Sequence, residues 1–151
     1  MKPLRLRIED KDDLNVVSAH LQDAVTTVGD FAYEPRRRRF ACVVNRFGWE
    51  TEGTARLGPR RHFRVRSGLH FDDVLAVRSQ NIRQDAKDAI ISLLAIRFGP
   101  TGGPEDPSGT VTLEFAGGGT IALDVECLEG HLTDITGPWE TRHKPAHDLD
   151  A

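Results

Sequence analysis

Leu4, Leu6 and Ile8 alternate with Arg5, Arg7 and Glu9, the two-residue period of a strand with one buried face. Asp10 stands where a helix cap is needed, and Asp12 and Asp13 follow in a first turn whose exposed N–H groups favour negative charge. Leu14, Val17, Leu21 and Ala24 then recur at spacings of three and four, one apolar helical face. The β-branched run from Val25 to Val28 turns the chain toward strand. Strands are predicted at about 25–33 and 39–47, with Pro35 and the arginines Arg36 to Arg39 as the turn between them. The second is apolar on both faces, Phe40, Cys42 and Val44 on one and Ala41, Val43 and Phe47 on the other, which predicts a central position.

Gly53 to Pro59 reads as a loop. Phe63 and Val65 alternate with His62, Arg64 and Arg66 in a third strand that continues through Leu69 and Phe71. Val74 to Arg78 and Ala89 to Phe98 supply a fourth and a fifth. Gly99 to Gly109, dense in Pro and Gly, is an exposed loop. The clearest hairpin follows: Val111, Leu113 and Phe115 lead into Gly117-Gly118-Gly119, and Ile121, Leu123 and Val125 return on the same face. Leu128, Leu132 and Ile135 repeat at helical spacing and predict a closing helix over about 126–135.

Seven strands, a closing helix, and a strand and helix in front make an α+β protein dominated by antiparallel β structure. The element order is similar to a pleckstrin-homology-like barrel plugged by its last helix; a two-sheet sandwich is the alternative. The 151 residues suit one domain, since a chain of about 150 residues buries roughly 68–70% of its unfolded surface. Residues 1–140 are assigned to that domain and 141–151 to a flexible tail. The longest nearly pure apolar run, Ala89 to Ile96, falls far short of the about 20 residues a membrane helix needs, and the N-terminus lacks a signal-type apolar stretch. A cytoplasmic location is expected, with Cys42 and Cys127 free.

Charge changes the picture more than composition does. Residues 36–66 hold 10 arginines against Glu50 and Glu52, whereas residues 67–151 hold 14 acidic and 6 basic residues. A hairpin tip showing Arg36, Arg37, Arg38 and Arg39, with Arg61 and Arg64 in the next basic stretch, suits an acidic protein or a phosphate-bearing ligand, because guanidinium groups fork toward anionic oxygens. RNA fits the charge but is the less favoured partner, since no aromatic run interleaves the arginines to stack bases. The plain alternative is a solvated turn whose charges pair with the acidic half.

One constellation suggests chemistry. On a helix over 126–135, Cys127, His131 and Asp134 share a face, and a histidine oriented by a carboxylate activates a thiol. Against this, Cys127 continues the inward phase of Ile121, Leu123 and Val125, the position of a small core residue. The pattern H-L-x-D occurs at His20 to Asp23 and at His131 to Asp134; two such helices would bring metal ligands together, or would simply pack through Leu21 and Leu132. His143 and His147 have ligand spacing, but Pro145 opposes the helix a metal pair needs. The triple glycine lacks the lysine and helix of a phosphate loop, and no hydrolase, zinc-protease or dinucleotide motif occurs. Trp49 and Trp139, each beside a loop signal, close the core or anchor a partner.

Finally, S-A-H-L-Q-D-A (Ser18 to Ala24), N-R-F-G-W-E (Asn45 to Glu50), F-A-G-G-G (Phe115 to Gly119), L-D-V-E-C-L-E (Leu123 to Glu129) and P-W-E-T-R (Pro138 to Arg142) resemble the bacterial family known as domain of unknown function 2948. The likeness spans nearly the whole chain. It implies an alphaproteobacterial protein of about this size and brings no established activity, ligand or catalytic residue. The sequence therefore favours a non-catalytic binding module with an arginine-rich hairpin and no cofactor or metal. A small enzyme or thiol sensor at Cys127, and a structural subunit or homodimer, are the alternatives.

Overall fold

The computed structural model describes residues 3–49, 62–135 and 139–140. Strand β1 (Arg5–Ile8) leads into helix α1 (Lys11–Leu21). Then come β2 (Val25–Thr27), a 3-10 turn (Val28–Asp30), β3 (Phe31–Glu34), β4 (Arg39–Trp49) and β5 (His62–Phe71). The rest is β6 (Val74–Gln80), β7 (Ile90–Pro100), β8 (Gly109–Phe115), β9 (Thr120–Val125), β10 (Gly130–Asp134) and β11 (Trp139–Glu140).

All recorded pairings are antiparallel, in the order β1-β10-β5-β4-β2-β7-β8-β9-β6, with β3 added to β4 and β11 to β5. The sheet curls around one core without closing. Its inner face alternates as the sequence does: Phe40, Cys42 and Val44 from β4, Val111, Leu113 and Phe115 from β8, and Ile121, Leu123 and Val125 from β9 are all buried. The hairpin between β8 and β9 turns through Gly117 and Gly118, both at positive φ, where a side chain would be strained.

The helix that covers this core is the N-terminal one. Asp10 Oδ1 accepts from the Asp13 N–H (2.8 Å) and caps the helix, while Asp13 Oδ2 accepts from the N–H of Glu9, the residue before the cap (2.9 Å). Leu14, Val17 and Leu21 are buried, and Ser18 Oγ accepts from Ile96 N–H (2.9 Å), fastening α1 to β7 near its bulge. No helix among the described residues is long and apolar enough to cross a membrane.

Three expectations need correction. The barrel is not closed, because no ladder joins β3 to β6. The strand foreseen at 25–33 is two strands broken by the 3-10 turn, whose Gly29 N–H donates to the Lys87 carbonyl (2.9 Å). And the closing helix over 126–135 does not form: Gly130–Asp134 is strand β10, inserted between β1 and β5. Gly130 and Thr133 are poor helix formers, and two flanking strands satisfy the backbone of β10 on both edges. Gly130 is also required by space, since a Cβ there would sit 2.6 Å from the His70 carbonyl oxygen. The assigned tail, and the loop from Gly53 to Pro59, lie outside the described residues.

Candidate functional site

At one end of the curled sheet three connections meet: the β3–β4 turn with the arginines, the Asp72-Asp73 turn between β5 and β6, and the 126–129 link into β10. Backbone bonds lace them together, Val74 N–H to the Arg38 carbonyl (2.8 Å), Asp72 N–H to the Glu129 carbonyl (2.9 Å) and Glu126 N–H to the Asp73 carbonyl (3.0 Å). Arg38 Nη1 meets Glu126 Oε1 at 2.7 Å, and Arg39 Nε meets Asp72 Oδ1 at 2.8 Å. Arg36 and Arg37 are exposed and make no ion pair among the described residues. The quartet is thus divided, half of it tied to the acidic segment.

The other basic candidates stand apart. Arg64 lies opposite Phe47 in the β4–β5 ladder, eight positions along β4 from Arg39 and so about 27 Å away along the strand. Its guanidinium rests 4.4 Å from the Phe47 ring centroid, and burial lowers its pKa. Arg61 lies outside the described residues, as do His143 and His147.

Cys127, His131 and Asp134 are not brought together. The Cys127 thiol donates to Asp73 Oδ2 (3.2 Å); burial, that bond, and the charges of Asp73, Glu129 and Glu126 push its pKa up to about 11. Such a thiol is the reverse of an activated nucleophile. Cys42 is fully buried and pushed up to about 12 by burial and then Asp30. Asp134 points inward to Arg46, while the strand period sends His131 to the opposite face.

On that outer face His131 lies directly opposite His70 in the β5–β10 ladder, ring centroids 5.0 Å apart. His70 Nε2 is 3.5 Å from Asp72 Oδ2, and burial followed by the Arg39 charge lowers the His70 pKa. The His131 Nδ1 atom is buried without a hydrogen-bond partner, a state that costs about 1–3 kcal/mol. Ligand atoms of His70, Asp72 and His131 lie within 4.8 Å of one another, as do those of Asp73, Cys127 and Glu129. In the second group Glu129 is raised mainly by its hydrogen bond with Asp73, with burial next.

A second feature sits where the sheet fails to close. Edges β3 and β6 face each other and are tied directly at one end; at the other, the 3-10 turn before β3 bonds the link between β6 and β7. Tyr33 Oη donates to the Val74 carbonyl (2.9 Å) at one, and Val28 N–H to the Ala89 carbonyl (3.1 Å), beside the Gly29–Lys87 bond, at the other. Between the ties is a cavity of about 270 Å³. Buried Phe40 and Ile121 lie deepest, Phe31, Val77 and Ile82 form half-buried walls, and exposed Gln84 and Lys87 stand at the mouth. Phe31 is held by stacking on Phe40 (6.0 Å) and by an edge contact with Phe115 (5.8 Å). Lys87 makes no ion pair among the described residues.

Sequence reasoning missed Arg46, His70, Asp72, Tyr33 and Lys87. A signal existed for Arg46, which occupies the inward phase of Phe40, Cys42 and Val44. The others are united only by register and curl.

Fold and site describe a small α+β protein with a curled, open antiparallel sheet, a seam cavity and a histidine–carboxylate cluster at one end. The chain belongs to the family described as protein of unknown function DUF2948, whose model it matches over residues 4–147. No curated protein and no solved structure matches it.

Proposed function

We propose that the protein is a non-catalytic binding module whose ligand seat is the seam between β3 and β6. The observation that carries this reading is a cavity of about 270 Å³ in which the side chains of Phe31, Phe40, Val77 and Ile121 share the lining with polar groups, with an unpaired lysine at its mouth. Small-molecule sites are concave and set an apolar wall beside a few polar groups that fix orientation. The ligand class is a compact molecule with an apolar body and a carboxylate or similar anion, the body against Phe31, Phe40 and Val77 and the charge at Lys87. The lining supports binding over catalysis. Its titratable groups are Tyr33, whose hydroxyl is spent on the Val74 carbonyl, and Lys87, and its serine hydroxyl, Ser79, accepts from Gln84 Nε2 (2.6 Å) with no histidine or carboxylate in the lining to serve as its base.

The test uses 1-naphthoate as probe, followed by amide chemical shifts. Shifts centred on Gly29, Val77 and Ile82, weakened by Lys87→Met and abolished by Ser79→Trp at the mouth, are expected. Shifts elsewhere, or none in the wild type, refute the seat. A second reading keeps the arginine hairpin as the contact for an acidic or phosphate-bearing partner, and the exposure of Arg36 and Arg37 without ion pairs favours it. Retention on heparin unchanged by the pair Arg36→Ser and Arg37→Ser would dispose of it.

A further inference from the structure

We infer that His70, Asp72 and His131 form a binding site for a divalent transition-metal ion of the zinc class. The site is separate from the seam and independent of what the seam binds. Antiparallel pairing of β5 with β10 sets His70 directly opposite His131 on the outer face, and Asp72 follows two residues later, where the chain turns. Their ligand atoms lie within 4.8 Å of one another, and a tetrahedral ion with bonds of about 2.1 Å holds its ligands about 3.4 Å apart. His70 Nε2 and Asp72 Oδ2 are already at 3.5 Å, and the His131 ligand atom, within 4.8 Å of both, has at most about 1.4 Å to close.

Two further observations point to a cation. His131 has a buried ring nitrogen, Nδ1, that no hydrogen bond satisfies, in a ring whose centroid stands 5.0 Å from that of His70. And Asp72 is oriented as ligating carboxylates are: Arg39 Nε holds Oδ1 at 2.8 Å, leaving Oδ2 on the histidine side. The positive charge of Arg39 is met by Asp72 itself, and Glu129 lies close enough to Asp72 and Asp73 for their negative charges to interact. Two imidazoles and one carboxylate select zinc, or a neighbouring first-row ion, over calcium or magnesium, which take oxygen ligands. His70 and Asp72 are about one quarter exposed, so the ion has a path from solvent, and three protein ligands leave a tetrahedral ion one position for water.

The experiment titrates the full chain, free of any affinity tag, with Zn²⁺ by calorimetry and with Co²⁺ by its visible absorption. One ion per chain is expected. His70→Gln and His131→Gln should each weaken it by more than the tenfold to hundredfold that loss of an outer-shell partner brings. Cys127→Ser, and the pair His143→Gln with His147→Gln, should leave it unchanged. Circular dichroism reports folding, and if His131→Gln unfolds, the partly exposed His70 carries the test alone. No binding by the folded wild type, full binding by His70→Gln, or loss in Cys127→Ser or in the tail variant overturns the assignment.

Discussion

Asp134→Asn removes one charge from a pair that lies under the sheet, and the structure allows its cost to be worked out. Arg46 Nη2 meets Asp134 Oδ2 at 2.9 Å and Arg46 Nε meets Oδ1 at 3.1 Å, with both side chains only 4% exposed. Ser67 Oγ adds a bond to Oδ1 (2.7 Å) and the Leu4 N–H one to Oδ2 (2.7 Å). With asparagine in place, Arg46 is left buried and uncompensated, which costs about 3–5 kcal/mol. At about 2–4 °C per kcal/mol for a chain of this size, the thermal midpoint should fall by about 6–20 °C. The double variant Arg46→Met, Asp134→Leu should lose less than the singles Arg46→Met and Asp134→Leu summed, because it buries no lone charge. The pair also sets an acid limit. Burial alone would raise the Asp134 pKa, but the bonds from Arg46, Leu4 and Ser67 outweigh it and hold the carboxyl below its usual value. A depressed carboxylate contributes stability in full above the unfolded aspartate value of about 3.9 and loses it as pH falls through the lowered folded value. Urea midpoints for wild type and Asp134→Asn should therefore converge below about pH 4. A single variant costing under about 1 kcal/mol at neutral pH, or additive singles, would refute the argument.

Two further outcomes follow from named contacts. With a thiol at about 11, roughly one Cys127 in a thousand is thiolate at pH 8, so native alkylation should be slow and should quicken in Asp73→Asn; free-thiol rates in the wild type would remove the Asp73 bond from the account. Gly130→Ala places a Cβ 2.6 Å from the His70 carbonyl oxygen and 2.9 Å from Phe71 Cδ1, and overpacking of this kind costs about 1–3 kcal/mol in denaturant unfolding; a neutral result would mean that β5 and β10 are farther apart than they stand here.

Where one period ruled a segment and its caps agreed, the sequence was enough. Leu14, Val17 and Leu21 read as a helical face and are buried; Val111 to Val125 read as a hairpin and pair as one. The arginine turn was legible as a turn, but the division of its charges was not, since Glu126 and Asp72 are 88 and 33 residues away from Arg38 and Arg39. Nothing local announces such partners. The seam has the same origin: Tyr33 and Val74 meet because the sheet curls, and curl is a property of the whole ladder.

The misread segment shows how a wrong period relocates chemistry. Leu128, Leu132 and Ile135 fit a helix, and on a helix Cys127, His131 and Asp134 converge. In a strand only alternate residues share a face, so the same residues separate. Asp134 turns inward to its cross-strand neighbour Ser67 and to Arg46, while His131 turns outward to its cross-strand neighbour His70. One pair of strands thus carries two polar pairs on opposite faces. The inner set is fully partnered and nearly sealed from water, which is what a structural ion pair requires. The outer set keeps an unpartnered ring nitrogen and partial exposure, which is what a site that takes up something from solution requires.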